Sequence, residues 1–299
     1  MPIPIPAALD DAGAAAAAKA VAVRSLPRYL ASAALAGAFV GIAVVLLVSV
    51  SAPLAAAGSP AAKLVQAAVF GVALTLVVFA GAELFTGNAM VMLQGLRARA
   101  VTGAQLAAVW AASLVGNLLG SLALASVVHG GGTLTGDGEA LVAKIVGAKD
   151  AVAGPQLFWR SVLCNLLVCL GLWMAGRVQS DVAKAIVLWW ALLAFIGSGF
   201  EHSIANMTIF GLGILEGSAT AGQLARNLAW TVPGNIVGGG LLVGLAYAWI
   251  GRPGTRTPSV SEPATPDPAP SRPAPTPDPV PASASPVPAP AYARTGATA

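Results

Sequence analysis

Three ionisable side chains stand where such groups are costly. Glu83, Glu201 and His202 lie deep within otherwise apolar stretches. A charge at the centre of a bilayer helix costs roughly 2.5–3.5 kcal/mol on insertion scales, so such groups usually line a path or pair with each other. Their chemistry is narrow. Carboxylates accept hydrogen bonds, and an imidazole can donate a hydrogen bond or a proton. Metal chemistry is poorly served. There are two histidines, His129 and His202, and Cys164 and Cys169 are five apart in an apolar segment. That spacing suits neither a metal site nor a redox pair. The expectation is inert buried thiols, no metal and no cofactor. No G-x-x-x-x-G-K-[ST] occurs, so no ATP-driven pump motif is present.

The glutamates are related by position. Gly81, Glu83 and Asn88 recur as Gly199, Glu201 and Asn206, each 118 residues later. The offset continues through Gly95/Gly213, Thr102/Thr220 and Gln105-Leu106-Ala107/Gln223-Leu224-Ala225. It ends with Ala111/Ala229, Gly116/Gly234, Asn117/Asn235 and Gly120/Gly238, giving 12 identities over positions 81–120. Close packing of small residues explains the glycines but not the paired glutamates. Among the positions that depart from the repeat, two are polar pore candidates: His202 matches Leu84, and Thr86 matches Ile204. The repeat thus supplies scaffolding, while each polar pore group comes from one copy. Two readings of the glutamates stay open. Each caps a helix broken beside it, or each touches the solute directly.

The elements that hold these residues follow from composition. The chain has 299 residues, 57% hydrophobic and only 9% charged. A soluble chain carries roughly 25% charged residues, so a soluble enzyme is excluded. No Asp, Glu, Lys or Arg occurs between Arg28 and Lys63, between Arg99 and Asp137, or between Arg226 and Arg252. Uncharged apolar stretches of about 18 residues or more read as bilayer spans. The formal charge of +4 is explained by loop charges and gives no case for nucleic acid. Too few polar groups are available for the active site of a membrane enzyme, so no enzyme is expected.

The expected fold is an all-α membrane protein with six transmembrane helices. Spans begin near residues 29, 64, 104, 157, 183 and 222, the second and fifth interrupted. Three spans per half invert the second copy, a mark of transport proteins whose broken helices meet near the midplane. The expected parts are an N-terminal segment (1–28), repeat 1 (29–128), a loop (129–156), repeat 2 (157–251) and a Pro-rich tail (252–299). The first segment carries Asp10 and Asp11 and lacks a cleavage site, so a short surface helix is expected rather than a signal peptide. The tail holds 14 prolines, a composition that favours extended, solvated chain. With the termini inside, nine Lys or Arg flank the spans inside against five outside. That bias puts both termini in the cytoplasm of a cytoplasmic (inner) membrane.

Three motifs carry a resemblance. AGAELFTGN (Ala80–Asn88), LCNLLVCLGLWMA (Leu163–Ala175) and SGFEHSIANMT (Ser198–Thr208) resemble the formate/nitrite transporter family over about residues 25–251. The resemblance implies an aquaporin-like fold and a homopentamer with one pore per protomer, passing small weak-acid anions with protons. Carried over, His202 is similar to the central pore histidine, Thr86 to its hydrogen-bonding partner and Asn165 to a third polar group. Lys149 lies 16 residues before Asn165, the spacing of the family's vestibule lysine. Phe70, Leu74, Leu84, Phe85 and Phe195 fall at its apolar constrictions, and Gly81, Gly87, Asn88, Gly199 and Asn206 at its broken-helix motifs. Trp189–Phe210 and His129–Leu134 resemble the nitrite branch. Nitrite is therefore the expected solute, with formate or hydrosulfide as the alternative within the family and a neutral-solute pore as the alternative outside it.

Overall fold

The computed structural model describes residues 1–251; the expectation for the tail (252–299) lies outside them. The described residues contain helices and no strand. Their order is α1 (Ile5–Ala22), α2 (Leu26–Ala56), α3 (Ala61–Val69), α4 (Val72–Ala80), α5 (Phe85–Arg97) and α6 (Gly103–Gly130). Then come α7 (Asp137–Asp150), α8 (Gly154–Arg177), α9 (Asp181–Ser198), α10 (Ser203–Leu215) and α11 (Ala221–Asn235). A π-helical segment (Ile236–Leu245) and α12 (Ala246–Ile250) close the series. Six stretches are long and apolar enough to cross a membrane: Leu26–Ala56, Ala61–Ala80, Gly103–Gly130, Gly154–Arg177, Asp181–Ser198 and Ala221–Ile250.

Residues 1–28 carry a helix, α1, with Ala8, Gly13, Ala16 and Ala20 buried. Three local features were not anticipated. The path from Ala61 to Ala80 turns at Phe70–Gly71, the loop at 129–156 carries α7, and the last stretch turns π-helical after Asn235. Trp189 explains the first. A Cβ on Gly71 would strike its indole, and the indole Nε1 donates to the carbonyl of Ala68 at 2.7 Å.

Small residues set the packing. A Cβ on Gly120 would strike the carbonyl of Ala34, and one on Gly238 the carbonyl of Val162. A Cβ on Gly116 would crowd the Leu30 carbonyl, and one on Gly234 would strike the Phe158 carbonyl. So α6 lies on α2 as α11 and the π-helical segment lie on α8, with backbones in near contact. The glycines keep the 118-residue offset; their partners are 128 apart. The Thr102/Gln105 and Thr220/Gln223 pairs are both capping boxes, at the starts of α6 and α11.

Candidate functional site

Helix α4 ends at Ala80, and the chain resumes as α5 at Phe85. Helix α9 ends at Ser198 and resumes as α10 at Ser203. Gly81 (φ 75°) and Gly199 (φ 74°) hold the left-handed conformation that ends each first helix. A side chain is strained there, which accounts for both glycines.

Each four-residue connection is clamped by an asparagine. Asn117 Oδ1 accepts from the Phe85 amide at 2.9 Å, and its Nδ2 donates to the carbonyls of Glu83 (2.9 Å) and Ala33 (2.8 Å). Asn235 repeats this. It accepts from the Ser203 amide at 3.0 Å and donates to the carbonyls of Glu201 (3.1 Å) and Ser161 (2.8 Å). The amides of Glu83 and Glu201 donate to the carbonyls of Ser32 and Arg160. Buried backbone freed from a helix is thus satisfied on both sides.

The glutamates do not cap their helices, which corrects one of the two readings above. No side chain of residue 84 or earlier caps α5, and α10 is capped by His202. Both Glu83 oxygens accept from Lys19 Nζ, at 2.8 and 2.7 Å, and Oε2 also accepts from Tyr29 Oη and Asn88 Nδ2. Glu201 Oε2 accepts from Lys149 Nζ and Asn206 Nδ2, both at 2.8 Å. Asn206 also donates to Asn227 Oδ1 at 2.8 Å. Each carboxylate is therefore neutralised by a lysine and tied to the second half of its own path. The Lys149–Glu201 side chains are 15% and 5% exposed, against 22% and 20% for Lys19–Glu83.

The two paths meet at His202 and Thr86, both buried. Thr86 Oγ1 lies 3.2 Å from His202 Nε2. His202 Nδ1 accepts from the Ala205 amide at 3.2 Å. An accepting Nδ1 puts the ring hydrogen on Nε2, the donor toward Thr86. The Thr86 hydroxyl then keeps its own hydrogen to donate elsewhere. Asn165 is held otherwise: Nδ2 donates to the carbonyls of Thr86 (3.1 Å) and Asn235 (2.6 Å). The Cys169 thiol also donates to the Thr86 carbonyl at 3.3 Å. Asn165 therefore reaches the site as a strut on the Thr86 backbone. Gly239 permits this, since a Cβ there would strike Asn165 Nδ2.

Aromatic rings flank the imidazole. Phe195 stacks on His202 with centroids 5.8 Å apart, and Phe70 meets Phe195 edge-on at 5.6 Å. Phe85 turns toward Trp110 at 6.5 Å. Leu74 and Leu84 are buried in the same cluster. One cavity of about 520 Å³ is lined by Gln66, Ile196 and Gly199. Another of about 410 Å³ is lined by Val77, Gly81, Leu84, Gly87 and Lys19. Along the α3–α4 path, Phe70 and Leu74 fall between the two cavities.

A family model described as formate/nitrite transporter matches residues 7–249. The chain belongs to the formate/nitrite transporter family. Among relatives in that family, the nitrite transporter NirC of Escherichia coli (strain K12) is 41% identical over 231 residues, covering 76% of this chain and 84% of the relative. A probable formate transporter of Methanothermobacter thermautotrophicus is 40% identical over 232 residues, covering 71% and 85%. A solved FNT family ion channel superposes with TM-score 0.76 at 37% identity, covering 82% of this chain and 99% of that one. A pentameric formate channel with formate bound gives TM-score 0.62 at 28% identity, covering 77% and 98%.

The residues that sequence reasoning missed are Lys19, Tyr29 and Asn227. It noted Asn117 and Asn235 only as repeat identities. Amides inside apolar spans were the available signal for the last two.

Proposed function

We propose that the protein is a membrane channel for small monovalent weak-acid anions, nitrite first, with one pore per protomer. One observation carries the reading: a buried His202–Thr86 hydrogen bond joins the two interrupted helical paths, with Phe195 stacked on the imidazole and Phe70 edge-on to Phe195. An unpaired ion in such an apolar passage costs on the order of 20 kcal/mol in the idealised limit. Two things lower that cost here. The Thr86 hydroxyl, which accepts from the His202 N–H, is left with its own O–H to donate to the anion. The N-terminal ends of α5 and α10 add positive helix-dipole potential near the same point. A weak-acid anion that takes up a proton there crosses the rings as the neutral acid.

Lys149 then acts through Glu201, holding the residues 199–202 in place, and Lys19 does the same for Glu83. The repeat supports opposite orientation of the two halves in the membrane. The nine-to-five distribution of basic residues supports cytoplasmic termini in an inner membrane. Likeness to the pentameric formate channel supports a homopentamer.

Formate is the second reading, favoured by the relative named as a formate transporter. Flux of nitrite and of formate into proteoliposomes at two pH values tests both. Nitrite uptake that outpaces formate and rises as the outside is acidified is the expected result. Uptake of a neutral solute, indifferent to anion and proton gradients, would overturn the reading.

A further inference from the structure

The two cavities sit at equivalent points of the repeat, one beside Gly199 and one beside Gly81. Their charges are not equivalent. The cavity beside Gly81 contains Lys19 and Glu83, an ion pair with both carboxylate oxygens bonded. The cavity beside Gly199 contains Lys63 from α3 and Lys144 from α7, and no carboxylate lines it. Both lysines are exposed, and among the described residues neither ammonium has an ion-pair or hydrogen-bond partner. Lys149 does not line this cavity, and its ammonium is paired with Glu201 at 2.8 Å.

We infer that Lys63 and Lys144 form the anion-capture subsite of this pore, taking a small monovalent oxyanion from the side on which α7 lies. The inference rests on the channel reading above. Two like charges in a recess with apolar walls focus the field and raise the local anion concentration. Ala55, Ala62, Leu141, Ile145 and Ile196 supply those walls. The capture is one-sided, because the lysine of the opposite cavity is already neutralised. One opposing charge lies close by. Asp137 lines a smaller cavity of about 230 Å³ that also touches Lys144.

The test uses the full chain in proteoliposomes of zwitterionic lipid with one insertion direction. Initial nitrite uptake is followed over a concentration series at low and at high ionic strength. K63Q/K144Q raises the half-saturating concentration on the order of tenfold at low ionic strength. The loss falls on half-saturation rather than on maximal rate, and it closes at high salt, where exposed charges are screened. K63R/K144R retains wild-type half-saturation. Asp137→Asn lowers it, and flux started from the opposite face keeps the wild-type value in all variants. A K63Q/K144Q protein with wild-type half-saturation at low salt overturns the subsite, as does a loss of maximal rate that salt does not change. Failure of the nitrite reading is distinguishable. The wild type would then carry formate and not nitrite, and the same series run with formate decides the capture step.

Discussion

Asn117 holds the first amide of α5 and Asn235 holds the first amide of α10, through the same side-chain oxygen and with the same pair of carbonyls on the amide nitrogen. Each side chain satisfies three buried backbone groups. Leaving a buried group unpaired costs about 1–3 kcal/mol. Asn235→Ala therefore destabilises the protein by roughly 2–4 kcal/mol, and Asn117→Ala by a similar amount. Asn235→Asp keeps the acceptor but sets a buried carboxyl against two carbonyls, and costs at least as much as alanine. Thermal denaturation in detergent measures all three; an alanine variant as stable as wild type would remove the clamp from the account.

The two lysine–glutamate pairs differ in exposure, and their variants should differ accordingly. Removing one partner of a buried pair costs roughly 3–5 kcal/mol, because the other charge is stranded. Lys149→Met approaches that range, while Lys19→Met, at the more exposed pair, costs less. Adding Glu201→Gln to Lys149→Met restores much of the loss. Midpoints of the two single variants and the double variant settle this. A double variant weaker than Lys149→Met would contradict the stranded-charge explanation.

Thr86→Val keeps the shape and deletes the hydroxyl. A hydrogen bond to a charged group is worth about 1.5–3 kcal/mol, so nitrite uptake should fall about ten- to hundredfold. Thr86→Ser retains most of it. His202→Phe abolishes the pH-dependent component. Stopped-flow uptake at matched protein density reads these out, and a Thr86→Val channel at wild-type rate would place the donor elsewhere.

Glu216, just beyond α10, predicts a pH effect on stability. Burial, with the Glu139 carboxylate in support, pushes its carboxyl from 4.5 up to about 7. The folded state then holds a proton that the unfolded state has already released. Stability therefore falls as pH rises from about 4.5 to about 7. Glu216→Gln flattens this part of the profile, and Glu139→Gln shifts it to lower pH. Melting temperatures at pH 5 and pH 8 give the comparison, with an unchanged slope in Glu216→Gln as the contrary result.

The membrane class and six crossings were legible because charge is scarce and unevenly placed. His202 and Thr86 stood out as polar residues in apolar spans whose repeat partners, Leu84 and Ile204, are apolar. The glutamates were visible, but their partners were not. Lys19 lies in an Ala-rich helix, and the 118-residue offset does not reach it. Ser32 and Arg160, which hold the two connections in the same way, are 128 apart. The extra chain lies between α2 and the first connection, so the repeat drifts out of register there. The turn at Phe70–Gly71 depends on Trp189, far away in sequence. Tertiary partners of that kind leave no local signal.

Each clamp and each ion pair is made within one half of the chain, whereas the Thr86–His202 bond, together with the Asn165 and Cys169 contacts to the Thr86 carbonyl, crosses between the halves. In the proposed channel the solute travels along a seam. A seam can be rewritten without touching the stitching on either side. Leu84 opposite His202 and Ile204 opposite Thr86 record such divergence in a duplicated sequence. Redesign for a different anion has its natural targets at those four positions, with the asparagine clamps left alone as common hardware.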